Sequence, residues 1–228
     1  MCRYKGETMK NLNLLVLGAT GNTGRRFVQM ALERGHSITA IVRSNASLPN
    51  RDGLTVIVGD VLDPKIVTKA STGVHAVVSC LGIRKADASD PWSDLISPED
   101  FTVRSAISAL TAMKLNGINR LVAISSAGIG DSWCSVDPDL QNVIKTSNIW
   151  KVFQDLNKME DVLAQSGLDT LAIRPVAIFD ADETGNARHV YKFEKGSKIS
   201  TGDIAKWMLE AVEQPKEFTT RYEMIGAT

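Results

Sequence analysis

Residues 13–43 read NLLVLGATGNTGRRFVQMALERGHSITAIVR, and no other stretch restricts the fold as tightly. The apolar run Leu14-Leu15-Val16-Leu17 suits a strand buried on both faces of a parallel sheet. Gly18, Gly21 and Gly24 follow at once in G-x-x-G-x-x-G spacing. Phe27, Met30 and Ala31 give the next segment a helical apolar face, Arg34-Gly35 stops it, and residues 37–42 read as a second strand. This order predicts an α/β, Rossmann-type doubly wound fold with a mainly parallel sheet and helices on both faces.

The glycines have separate physical uses. Gly18 lets the chain leave the strand in a tight turn, Gly21 lets backbone approach a pyrophosphate, and Gly24 lets the helix pack on the strand. The helix N-terminus then points free N–H groups and a positive dipole end at the phosphates. A glycine triplet alone also fits an ordinary tight turn; the flanking strand and helix favour the dinucleotide loop. After the second strand, an acid would take the ribose hydroxyls of NAD, whereas this chain has Arg43 and Ser44. A guanidinium pairs bidentately with a 2′-phosphate, so NADP(H) is expected over NAD(H). Arg25, directly behind the loop, is a second candidate for that phosphate. The competing reading makes Arg25 and Arg43 solvated surface charges.

Composition narrows the function further. The chain has 228 residues, 43% of them apolar, enough for one α/β domain with a full core. With 26 basic and 26 acidic residues its formal charge is zero, so neither nucleic acid nor an anionic membrane is expected as partner, and a small-molecule substrate is. Cys2, Cys80 and Cys134 lack C-x-x-C spacing, which argues against a disulfide scaffold and a zinc site; no metal is expected. No apolar run is long enough to span a bilayer, and residues 1–10 lack the apolar segment of a signal peptide, giving an expected cytoplasmic location. Residues 1–10 are expected to be a disordered extension, with Met9 a second candidate start. Residues 11–228 are expected to form a single domain.

Along the rest of the chain, residues 44–53 read as a loop and residues 54–58 as a third strand ending at Gly59-Asp60-Val61. Asp60 either accepts from an adenine amino group, with Val61 on the ring, or merely opens the next turn. Asp63-Pro64 caps a short helix. Residues 74–81 form a fourth strand ending at Leu81-Gly82, across the crevice from the first. Cys80 lies within it as a buried small hydrophobe rather than a nucleophile. Ile83-Arg84-Lys85 is a basic loop that touches phosphate or an acidic substrate, or is simply solvated. Residues 86–96 read as a polar loop.

Ser97-Pro98-Glu99-Asp100 opens a helix with Phe101, Ala106, Ile107, Leu110 and Met113 on its apolar side, ended by Asn116-Gly117. Strand five, residues 120–124, delivers Ser125 and Ser126 to the sheet edge that carries the glycine loop. Their hydroxyls either serve as donors at the nicotinamide end or cap a turn. Residues 129–142 read as an exposed loop able to form a lid, residues 147–165 as a helix, and residues 170–174 as strand six, closed by Pro175. Residues 176–202 are expected to form a small substrate-side lobe. A helix over residues 204–213 and a strand over 219–225 complete the chain.

The combination GATGNTGR at 18–25, Val42-Arg43, GDVLD at 59–63, ISSAG at 124–128 and SGLDTLAIRP at 166–175 resembles the atypical short-chain dehydrogenase/reductases. It is most similar to their NAD(P)H-binding group containing biliverdin-IXβ reductase (flavin reductase) and the NmrA-like proteins, over nearly the whole chain. By that resemblance the cofactor set is Gly18, Thr20, Gly21, Asn22, Thr23, Gly24 and Arg25 at the pyrophosphate loop, Arg43 and Ser44 at the 2′-phosphate, and Asp60 and Val61 at the adenine. Leu81, Gly82 and Pro175 would lie toward the nicotinamide, Arg84 on the basic loop over the crevice, with Ser125 and Ser126 as catalytic candidates.

One departure stands out. Ordinary members of the superfamily carry Y-x-x-x-K on the helix after strand five; counting back from Ser166-Gly167 puts those positions at Val152 and Leu156. Lys158 is turned about 200° around the helix. The resemblance then implies a reductase of a flavin-like or other conjugated planar molecule, with a final proton from Ser125, Ser126 or solvent. Its alternatives are a non-catalytic NADP(H)-binding redox sensor with a protein partner, as in some NmrA-type proteins, and a nucleotide-sugar epimerase-like enzyme.

Overall fold

A computed structural model describes Met9 and residues 11–44, 48 and 50–227. The strands are β1 (Asn13–Leu17), β2 (Ser37–Val42), β3 (Leu54–Val58), β4 (Ala76–Ser79), β5 (Arg120–Ile124), β6 (Asp169–Pro175), β7 (Ala177–Phe179), β8 (Arg188–His189), β9 (Lys198–Ser200) and β10 (Tyr222–Gly226). The helices are α1 (Asn22–Glu33), α2 (Pro64–Ala70), α3 (Phe101–Asn116), α4 (Pro138–Thr146), α5 (Ile149–Gln165) and α6 (Thr201–Val212). Eight strands form one sheet in the order β3-β2-β1-β4-β5-β6-β10-β8, parallel except for β8, while β7 and β9 pair separately. The expected doubly wound architecture is present.

Burial explains the order. Leu14, Leu15, Val16 and Leu17 lie between β2 and β4 with essentially no exposure, as the unbroken apolar run requires. Helix α1 buries Phe27, Val28 and Ala31 and packs on α6, whereas α2, α3 and α5 pack in series. The chain works outward from β1 to β3, then returns to β4 beside β1. The crevice at the carboxyl ends of these two strands is therefore the switch point.

Several boundaries differ from the expectation, each for a physical reason. Helix α3 begins at Phe101, not at Pro98, because its N-terminus is capped from another helix. Asp155 of α5 accepts from the Thr102 amide at 2.8 Å, the Thr102 hydroxyl at 2.5 Å and the Val103 amide at 3.1 Å. The expected cap, Ser97, instead accepts from the Arg84 amide. Ile107 is 48% exposed, and the buried stripe of α3 includes Thr102, Ser105, Ala109 and Ala112.

Residues 86–96 are not a plain loop. The Ala86 amide bonds to the Asp94 carbonyl and the Ile96 amide to the Arg84 carbonyl, making a hairpin-like flap. The Trp92 indole donates to the Thr146 carbonyl, and Asn148 donates to the Trp92 and Ser93 carbonyls, so its tip is tied to the junction of α4 and α5. Residues 129–142 are not an exposed loop either. Ile129 and Val136 are buried, residues 130–135 make a turn of 3₁₀ helix, and Asp137-Pro138 caps α4 just as Asp63-Pro64 caps α2.

The expected extension at 1–10 lies outside the described residues apart from Met9, whose amide donates to the Glu213 carbonyl at 2.8 Å. Among the described residues no helix is long and apolar enough to cross a membrane.

Residues 176–202 carry β7, β8 and β9 and are anchored twice. Arg26 of α1 pairs with Asp180 at 2.7 Å and Asp182 at 3.0 Å. Asp203, near the start of α6, accepts from the Thr184 and Gly185 amides and from the Thr184 and Ser200 hydroxyls. A Cβ at Gly202 would fall 2.2 Å from the Glu183 nitrogen, so that approach requires glycine. Burial opposes charge on Asp203, but the bonds from Thr184, Ser200 and Gly185 outweigh it and hold the carboxyl below its ordinary value.

A depressed folded pKa gives stability that is complete above the unfolded value, about 3.9 for Asp. That stability is lost as pH falls through the lower folded value. Acid titration of folding stability is therefore expected to fall more steeply for the wild type than for Asp203→Asn, which should be less stable at neutral pH.

Candidate functional site

The glycine loop follows β1 directly. Gly18 has φ +82°, and a Cβ there would lie 2.9 Å from the Cys80 carbonyl group, so the ends of β1 and β4 approach at bare backbone. A Cβ at Gly24 would meet the Gly18 oxygen at 2.1 Å, which explains why α1 can start only with glycine there. Gly21 is different, since its Cβ would make an ordinary 3.4 Å contact within the protein. It is the exposed N-cap of α1 and supplies no side-chain cap. The first-turn amides thus lack a side-chain cap, and the missing side chain leaves a cradle of the kind a diphosphate fills.

Around this cradle Thr20 and Asn22 are exposed, Thr23 is buried, and Arg25 donates to Asn22 Oδ1 at 2.9 Å. Arg43 and Ser44 lie exposed beyond the end of β2, on the same sheet edge. Asp60 accepts from the Leu62 amide at 2.9 Å, so one carboxylate oxygen opens the turn; Val61 is buried. Leu81 is half-buried beside Gly18, and a Cβ on Gly82 would meet only open space. Arg84 is exposed, and Pro175 is buried with its carbonyl accepting from the Ala127 amide. Burial pushes the Cys80 thiol up to about 12, in keeping with an inert side chain.

The two serines sit in different surroundings. Ser125 is buried and donates its hydroxyl proton to Glu160 Oε1 at 2.5 Å, leaving oxygen lone pairs as its free valence. Ser126 is half-buried and donates to the Ala127 carbonyl at 3.0 Å.

Glu160 belongs to a network that sequence reasoning did not find. Arg174, buried in β6, grips Glu160 through Nε at 3.0 Å and Nη2 at 2.5 Å, and reaches Asp131 at 2.7 Å. Its guanidinium lies 3.7 Å over the Tyr222 ring, and Tyr222 donates to Asp131. Burial works against the Arg174 charge, but Glu160 and Asp131 more than compensate and raise its pKa. For Asp131, burial is likewise outweighed, by Tyr222 and Arg174, and its carboxyl is lowered. The bond to Asp131, with burial, raises the Tyr222 phenol. A charged residue inside the apolar strand DTLAIRP was the available signal.

Comparison with known proteins now decides the family. The model of the NAD(P)H-binding family matches residues 18–215, which includes the cradle and strands β2 through β9. The chain belongs to the NAD(P)H-binding family. Its cofactor is accordingly a nicotinamide dinucleotide.

Among curated relatives, the Photosystem II assembly factor Ycf39 of Synechocystis is 22% identical over 95% of this chain and 63% of its own length. The divinyl chlorophyllide a 8-vinyl-reductase of Arabidopsis thaliana is 24% identical over 77% of this chain and 42% of its own. The chain thus spans less than two thirds of these relatives. In fold, this NAD(P)H-binding chain is similar to the anaerobilin reductase ChuY of Escherichia coli O157:H7, with TM-score 0.75, 20% identity and coverage of 93% and 96% of the two chains. A short-chain dehydrogenase/reductase of Veillonella parvula in complex with NADP gives TM-score 0.75 at 16% identity, covering 94% of each chain.

Two outcomes follow from this geometry. Arg43→Asp is expected to weaken NADPH binding by about tenfold or more while changing NADH binding little, read by calorimetric titration of both nucleotides. Arg174→Met strands two acids and should lower stability by about 3 kcal/mol or more in chemical unfolding. The double variant Arg174→Met/Glu160→Leu should lose less than the single one.

Proposed function

We propose that this chain is an NADPH-dependent reductase that passes hydride to a flavin-like or other conjugated planar small molecule. The observation that carries the reading is the open crevice at the β1/β4 switch point, joined to a helix α5 without the usual proton-transfer pair. Val152 and Leu156, the positions expected to hold Tyr and Lys, are apolar and pack with the core. Neither can move a proton, so carbonyl chemistry of the ordinary kind lacks its acid. The names of two similar proteins, anaerobilin reductase and divinyl chlorophyllide a 8-vinyl-reductase, support a reductase reading.

When bound, the reduced nicotinamide supplies the hydride. The residues divide the remaining work. Gly18, Gly21, Gly24, Thr20, Asn22 and Thr23 hold the diphosphate, Arg43, Ser44 and Arg25 the 2′-phosphate, and Asp60 with Val61 the adenine. Leu81, Gly82, Arg84 and Pro175 shape the nicotinamide end, with residues 176–202 closing the substrate side. Ser125, its proton committed to Glu160, accepts a hydrogen bond and orients. Ser126 or solvent delivers the proton, because the Ser126 hydroxyl is held only by a neighbouring carbonyl.

Purified protein given NADPH with FMN or biliverdin should lose absorbance at the nicotinamide band, and Ser126→Ala should slow turnover by about tenfold if that hydroxyl is the donor. No turnover on a broad panel of planar acceptors removes the reductase reading. The second reading, a non-catalytic redox sensor, draws on the same apolar Val152 and Leu156. It predicts different affinities for NADPH and NADP and a protein partner that responds to the difference.

A further inference from the structure

Gly128, Ile129, Gly130, Trp133 and one flank of α5 line a cleft of about 470 Å³. Its lining includes no residue of the glycine loop, nor Gly82, Ser125, Ser126 or Pro175, so it is a concavity distinct from the dinucleotide crevice. The volume falls in the range that small-molecule sites occupy, roughly 300–1,000 Å³.

The walls are aromatic and held in place. Trp133 meets Trp150 edge-on, with ring centroids 5.7 Å apart and planes at 71°. Gln141 donates to the Trp133 and Val136 carbonyls, fixing the backbone that carries Trp133. A Cβ at Gly128 would collide with Val136 at 2.8 Å and crowd Phe153 at 3.1 Å, so the bare backbone there is what lets Phe153 form the floor.

The polar part of the lining is cationic and uncommitted. The side chains of Gln154, Asn157 and Lys158 have no hydrogen-bond or ion-pair partner among the described residues. Lys145, outside the lining, sets its ammonium 5.2 Å from the centroid of the Trp133 ring. No Asp or Glu lines the cleft. Aromatic faces select a flat π-system, two amides supply hydrogen bonds, and the ammonium selects negative charge.

We propose that this cleft is a second small-molecule site and that its ligand is a planar aromatic anion, such as an aryl carboxylate or sulfonate. The proposal is independent of the hydride chemistry. Anilinonaphthalene sulfonate titrated into the full chain, read by probe emission and tryptophan quenching, should report one saturable site. Saturating NADPH should leave its affinity unchanged. Trp150→Ala should weaken binding by about tenfold, and Lys158→Gln by several-fold. Both side chains are exposed at their tips, and circular dichroism confirms that the variants fold.

Absence of saturation, or equal affinity in both variants, overturns the proposal. So does displacement by NADPH, which would put the dye in the crevice. An affinity that falls as protein concentration rises would mean a second copy covers the cleft, and it too overturns the proposal.

Discussion

The structure depends on the approach of one backbone to another. With a Cβ at Gly24 only 2.1 Å from the Gly18 oxygen, α1 could not begin where it does. Its first-turn amides would then no longer point across the end of β1. Gly18 makes the second close approach, to Cys80 at the end of β4, and so brings the two halves of the sheet together at the crevice. The shape of the cradle follows from these missing side chains, because main-chain amides of the kind that bind phosphate take their direction from where the helix starts.

The rest of the fold is fastened by carboxylates that reach between elements. Asp155 caps α3 from α5, Asp203 gathers four donors from the segment before α6, and Glu160 joins Ser125 to Arg174. Each satisfies buried or part-buried donors that local structure leaves without partners, which is why such groups are costly to remove. Their placement also has a chemical consequence. A serine whose proton is held by Glu160 cannot act as an acid at the same moment, so in the proposed reductase it is packing that would leave Ser126 the freer hydroxyl.

The aromatic cleft on α5 shows how a crossover segment becomes more than a connection. Residues 129–136 turn inward at Ile129 and Val136, and this carries Trp133 onto Trp150. Had that stretch been the exposed loop its composition suggested, neither the cleft nor the Asp131 contact to Arg174 would exist.

By itself the sequence determined the parallel sheet, the glycine cradle, the α2 cap at Asp63-Pro64 and, to within a residue, the limits of β1, β2, β3, β5 and β6, because these depend on residues within one or two turns of each other. Asp137-Pro138 was equally legible and was obscured by the polar residues around it. The start of α3, the flap over residues 84–96 and the Glu160–Arg174–Asp131–Tyr222 network were decided by tertiary structure alone. The partners in these contacts stand as far apart as Asp131 and Tyr222, 91 residues along the chain. No local spacing specifies which distant carboxylate will meet a given donor; that is settled only when buried polar groups must find one another as the sheet and its helices close.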